Sequence, residues 1–172
     1  MSRITVQITV TGLVQGVGFR PFIYRMALKQ GLTGWVQNTN ENVRICVSGE
    51  AGAIDHFVTS IREEAPPAAM IDSVETNRVA DEEFASFEIH GSHNVSGNIT
   101  EISPDIAVCP DCLEDIKTGG NRPGYSFVNC TNCGPRFTII RDLPYDRAKT
   151  TMSVFPMCPA CKSEYELSLI HI

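Results

Sequence analysis

Thr11-Gly12-Leu13-Val14-Gln15-Gly16-Val17-Gly18-Phe19-Arg20-Pro21 lies between two differently patterned segments of the chain. Before it, Ile4, Val6, Ile8 and Val10 alternate with Thr and Gln, the period-two pattern of a half-buried strand. After it, Phe22, Ile23, Met26 and Ala27 recur at helical spacing, and Pro21 occupies a first-turn position where proline is tolerated. Three glycines and an arginine therefore fall between a strand end and a helix start. Glycine lets a backbone turn tightly with successive N–H groups pointing inward, and a helix N-terminus adds partial positive charge. Arg20 adds a full charge with a planar fork of donors. Together these make a cradle for a phosphate-like anion. The ordinary alternative is a strand–loop–helix junction with a surface arginine. No Gly-Lys-Ser/Thr follows, so this is not a Walker A loop, and Pro21 stands where a dinucleotide fingerprint needs its third glycine.

Outward from the cradle, the first strand covers residues 3–10 and the helix runs to about residue 30, stopped by Gly31. Residues 34–38 and 43–49 read as a hairpin around Thr39-Asn40-Glu41-Asn42. Ala53, Ile54, Phe57, Val58 and Ile61 mark a second amphipathic helix, ended by Ala65-Pro66-Pro67. Two extended segments, 71–79 and 84–90, flank the acidic turn Asp81-Glu82-Glu83. This order predicts an α+β, ferredoxin-like βαββαβ domain over residues 1–91, an antiparallel sheet with two helices on one face.

Residues 92–104 shift to Gly, Ser, Asn and His and read as a linker. His90 and His93 are metal ligands by type, but a strand end and a polar linker make exposed histidines the simpler expectation. Six of the seven cysteines form Cys-x-x-Cys pairs: Cys109/Cys112, Cys130/Cys133 and Cys158/Cys161. Seventeen residues separate the first two pairs, the spacing of a zinc ribbon, with redox dithiols as the alternative. Four thiolates close a tetrahedron around Zn²⁺ and leave no position for substrate, so the metal is expected to be structural. A first finger is assigned to 105–141 and an incomplete second one to 142–172. Cys158 and Cys161 lack a downstream partner pair, and Leu-Ser-Leu-Ile-His-Ile at the end matches a translated sequencing adapter. The natural chain is therefore expected to continue beyond Tyr165 or Glu166. Cys46 stands alone on a strand, on a face the pattern does not assign.

The remaining bounds are compositional. A chain of 172 residues with a net charge of −6 argues against general nucleic-acid binding. No apolar run reaches membrane-spanning length, and the N-terminus enters a strand without a secretory h-region, which predicts a cytoplasmic protein.

Asn38 ends the second strand and comes near the cradle in a split βαβ arrangement. A neutral amide there can hold a water by donating and accepting at once. If the anion is the phosphoryl group of an acyl phosphate, the leaving carboxylate-type group departs without protonation, and positioning with charge stabilisation suffices. A turn-forming asparagine beside Asn40 and Asn42 is the ordinary reading.

Residues 11–20 resemble the acylphosphatase signature almost residue for residue. Gly34-Trp35-Val36-Gln37-Asn38, with Val43 and Gly49, resembles that family's second signature. The resemblance implies that Arg20 binds phosphate together with Gln15, Gly16, Val17, Gly18 and Phe19, and that Asn38 orients the attacking water. Asn42 departs from the glycine usual there, a position where asparagine tolerates a left-handed backbone. Cys109-Pro-Asp-Cys112, Phe127 through Arg141, Pro144-Tyr-Asp-Arg147 and Phe155 through Cys161 are similar to the HypF family of hydrogenase-maturation carbamoyltransferases. That family's finger chemistry implies zinc held by Cys109, Cys112, Cys130, Cys133, Cys158 and Cys161. It also implies carbamoyl phosphate as substrate and a HypE-type partner that receives the carbamoyl group, destined for the cyanide ligand of [NiFe]-hydrogenase. Two competing readings are a non-enzymatic zinc-ribbon interaction module with an anion cradle, and a zinc-ribbon nucleic-acid binder using Arg136, Arg141 and Arg147.

Overall fold

A computed structural model describes residues 3–93, 107–118, 123–124, 141–142, 146–159 and 162. Strands β1 (Arg3–Leu13), β2 (Thr33–Asn38), β3 (Val43–Glu50), β4 (Met70–Val79) and β5 (Phe87–Ile89) form one sheet in the order β4-β1-β3-β2-β5. Helices α1 (Phe19–Lys29) and α2 (Ala51–Glu63) supply the two βαβ crossovers. The ferredoxin-like arrangement expected from the pattern is the one observed. It is a mixed sheet rather than an antiparallel one, because β5 runs parallel to β2, Gly34 opposite Phe87. The ten-residue β4 lies antiparallel to β1 at the other edge, nine of its residues paired across a bulge at Asp72.

Alternation decides the faces. Ile8 and Val10 of β1, Val36 of β2, and Val43, Ile45 and Val47 of β3 point to the helical side. There they pack on Phe19, Ile23 and Met26 of α1 and on Ile54, Phe57 and Ile61 of α2. Each such side chain, fully buried, contributes about 1.5–3 kcal/mol before conformational entropy is subtracted. Helix α1 ends where expected: the N–H groups of Gly31 and Leu32 turn back to the carbonyls of Leu28 and Ala27.

The opposite face of the sheet is crossed by the acidic segment that links β4 to β5. Asp81 Oδ1 accepts the Thr5 N–H at 3.2 Å, the Thr5 hydroxyl meets the Glu82 backbone, and the Gly34 N–H donates to Ser86 O at 2.9 Å. This crossing settles the position of Cys46, which lies on that face and is 6% exposed. Burial, and secondarily the Glu82 carboxylate, pushes its thiol from 9.0 up to about 11. A thiol raised in this way releases its proton later in the folded than in the unfolded chain. Its contribution to stability is therefore complete below pH 9 and is lost as pH rises from 9 toward 11. Peptide-resolved alkylation at pH 8 is expected to leave Cys46 unmodified in the folded protein and to label it fully in urea. Labelling at equal rates in both conditions would contradict this burial.

Beyond β5, α3 (Pro110–Thr118) follows, and then two short 3-10 turns, Arg147–Lys149 and Thr151–Val154. Most of the expected linker (residues 94–104), Cys130, Cys133, Arg136 and Cys161, and the tail from 163 onward lie outside the described residues.

Candidate active site

β1 runs three residues further than its alternation indicated, to Leu13, so the cradle proper is Val14 to Gly18. Val14, Val17 and Phe19 are sunk in the core and anchor the loop at both ends and in its middle. Between these anchors Gly16 and Gly18 take left-handed backbone conformations, with φ of 74° and 73°. A side chain at either would be strained, which is the physical reason for both glycines. Gly18 is the N-cap of α1 and brings no capping side chain. The first-turn N–H groups of a helix have no intrahelical partners, so this start is built like an anion-binding helix terminus.

Gln15 is buried, and its Nε2 donates to the Thr39 carbonyl at 2.6 Å, tying the cradle to the β2–β3 turn. That turn is organised by Thr39. Its Oγ1 accepts the N–H groups of Glu41 and Asn42 and donates back to Asn42, whose carbonyl and side-chain oxygens both lie at 3.1 Å. The asparagine that replaces the family's usual glycine thus gains a hydrogen bond through its side chain.

Asn38 is the last residue of β2 and is 2% exposed. Among the described residues its buried Oδ1 has no hydrogen-bond partner. An unsatisfied buried acceptor costs about 1–3 kcal/mol, a cost that folds keep chiefly where function uses it. Arg20 sits in the first turn of α1 with its side chain 17% exposed. Nη1 donates to Ser92 Oγ at 3.3 Å, and Nη2 pairs with Asp146 Oδ1 at 3.1 Å. The next residue, His93, donates its N–H to the Asn38 carbonyl at 3.0 Å. Arg20 and Asn38, eighteen positions apart, are therefore joined twice: through Gln15 and Thr39, and through Ser92 and His93. The fold assembles the cradle, the arginine and the asparagine in one place.

Ser92 and Asp146 were not among the residues the sequence singled out as site members. Ser92 fell inside a segment read as linker, and Asp146 belongs to the finger region, more than a hundred positions from Arg20. Of the two histidines, His90 stacks on Trp35 with ring centroids 5.4 Å apart and pairs with Glu88 at 3.4 Å, and His93 enters the site only through its backbone.

Of the six candidate zinc ligands, Cys109, Cys112 and Cys158 are described. Cys109 immediately precedes α3, its carbonyl accepting the Leu113 N–H at 3.0 Å, and Cys112 is 4% exposed in the first turn. Cys158 repeats the arrangement: Pro159 follows, and the Lys162 N–H returns to the Cys158 carbonyl at 2.8 Å. Cys109 and Cys112 thus stand at a helical start, where the backbone favours the thiolate form that zinc requires, and Cys158 accepts the same i+4 backbone bond. The described cysteines are of the type zinc takes, and among the described residues no three ligating side chains come together.

Comparison with known proteins finds two family matches along the chain. The acylphosphatase family matches residues 6–89, and the HypF finger family matches residues 108–140. An acylphosphatase of Caldivirga maquilingensis is 42% identical over 91 residues, which is 95% of that protein and 51% of this chain. The carbamoyltransferase HypF of Rhodobacter capsulatus is 51% identical over 161 residues, 93% of this chain. The crystal structure of full-length HypF in a phosphate- and nucleotide-bound form superposes with a TM-score of 0.90 at 46% identity, over 96% of this chain. The chain spans 21% of the Rhodobacter protein's length and 22% of the chain in that crystal structure. The chain therefore belongs to the acylphosphatase family through its first domain, and with the HypF finger joined to it matches the N-terminal part of HypF.

Proposed function

We propose that the domain of residues 3–93 hydrolyses an acyl phosphate, carbamoyl phosphate in the cell, to carbamate and phosphate. The observation that carries this reading is the buried Oδ1 of Asn38, unpartnered among the described residues, beside a glycine cradle next to Arg20. In this reading Arg20 and the backbone N–H groups around Gln15, Gly16, Val17, Gly18 and Phe19 bind the phosphoryl oxygens. Asn38 orients a water for in-line attack. The water oxygen forms the new bond to phosphorus, the P–O bond to the carbamoyl group breaks, and carbamate leaves with the electron pair. No acid need protonate it, which fits a site where, among the described residues, no histidine or cysteine side chain contacts Arg20 or Asn38.

The relatives named carbamoyltransferase support a role for this hydrolysis as the first step of carbamoyl transfer in [NiFe]-hydrogenase maturation. A HypE-type partner would receive the carbamoyl group in the longer protein. Cys109, Cys112, Cys130, Cys133, Cys158 and Cys161 would hold structural Zn²⁺, with the first two pairs sharing one ion. Among the described residues no helix is long and apolar enough to cross a membrane.

The test is phosphate release from carbamoyl phosphate by this chain, beside a phosphate monoester whose alkoxide leaving group needs protonation. Turnover of the acyl phosphate alone is expected. Absence of turnover by the folded, zinc-loaded chain, or equal turnover of both substrates, would overturn the reading.

A further inference from the structure

We propose that Asp146 is a positioning residue for Arg20, so that the anion site of the acylphosphatase domain is completed by the segment following the HypF finger. The inference rests on the reading of Arg20 as the phosphate ligand and extends it beyond the domain that supplies the cradle.

Three observations carry it. The first is the geometry of the contact. Asp146 meets Arg20 through Oδ1 on Nη2 at 3.1 Å, while Nη1 is taken separately by Ser92 Oγ at 3.3 Å. A carboxylate standing in for phosphate would engage the guanidinium fork with both oxygens. Single contacts on two different nitrogens, both from residues beyond β5, are among those that set the plane of the guanidinium. The second is what Asp146 forgoes. It is the N-cap of the 3-10 turn Arg147–Lys149, a position where aspartate ordinarily accepts a backbone N–H, yet its side chain makes no capping bond there. The third is the bracing of the segment that presents it. The Arg147 side chain donates to Phe155 O at 2.6 Å, Thr150 is buried and caps the following turn, and Lys149 pairs with Asp142 at 2.9 Å. Asp146 is thus delivered by a stretch with its own internal ties. Its carboxylate remains 34% exposed, so the pair is not a buried core ion pair retained for packing.

An arginine side chain has several rotatable bonds, and an unanchored guanidinium must be ordered each time phosphate binds. Fixing it beforehand removes that entropy cost from binding. Asp146→Ala in the full chain is therefore expected to weaken inorganic phosphate binding, measured by titration calorimetry, by roughly 5–10-fold. The KM for carbamoyl phosphate should rise by a similar factor while kcat changes far less. Asp146→Asn keeps an acceptor for Nη2 and should recover part of the loss. The asparagine variant also carries the test if the alanine variant unfolds. Unchanged phosphate affinity in both variants would overturn the proposal. So would tighter binding, which would mark Asp146 as a competitor for the arginine. Arg20→Ala separates the two levels of inference. If it leaves phosphate binding intact, the assignment of Arg20 falls and this proposal with it. If Arg20→Ala abolishes binding and the Asp146 variants bind normally, only the positioning role fails.

Discussion

Asn38→Ala is expected to reduce kcat for carbamoyl phosphate hydrolysis by about 10²–10³-fold, the cost of removing one preorganised polar group from a reaction that depends on positioning. KM should stay within about threefold of its starting value, since phosphate recognition belongs to the cradle and Arg20. Stability should move differently. Asn38 Oδ1 is buried without a partner among the described residues, and alanine removes that acceptor along with its desolvation cost. The urea midpoint of Asn38→Ala is therefore expected to equal or exceed that of the parent. Loss of turnover with retained or increased stability is the signature of a group kept for chemistry. A large fall in the midpoint, with activity declining in proportion to the unfolded fraction, would instead make Asn38 a structural member of the β2–β3 turn.

Arg20→Ala is expected to weaken phosphate binding by about 10²-fold, as removal of charge-assisted bonds from a largely desolvated site does. Its KM for carbamoyl phosphate should rise correspondingly. Arg20→Lys restores the charge but not the planar fork. A lysine cannot bond Ser92 and Asp146 in two directions while facing the cradle, so its affinity should remain about tenfold below that of arginine. Equal affinities for the lysine variant and the parent would mean that charge alone matters and that the anchored guanidinium plane contributes nothing. The hierarchy is itself informative: the arginine carries the larger effect, and Asp146 a smaller one acting through it.

Much of this architecture is legible in residue order. Alternation in β1 and β3 and the helical spacing of Phe22, Ile23, Met26 and Ala27 are local patterns imposed by one buried face per element, and the elements form where those patterns lie. Gly16 and Gly18 were legible as turn glycines for the same reason: a left-handed backbone is a local requirement of a single residue. The parallel pairing of β5 with β2 was less visible. β5 is three residues long, and its direction is set by where the segment from β4 crosses the sheet.

For the site the division is sharper. Arg20, Asn38 and the cradle residues of the proposed site stand out by type and position, because a glycine loop at a strand–helix junction and an amide at a strand end are local features. The same reading assigned Ser92 to a linker and Asp146 to a finger, and left Cys46 without a face. Each of those depends on which distant segment comes to lie against it. The hydroxyl at Ser92, the carboxylate at Asp146 and the acidic segment over Cys46 act across 72, 126 and 36 positions of chain. Residue order alone specified the strands, the helices and the left-handed glycine turn between β1 and α1, since short-range sterics and periodicity govern all three. What surrounds Arg20 was fixed by the tertiary fold, because a guanidinium donates to any anion or hydroxyl that folding brings within reach.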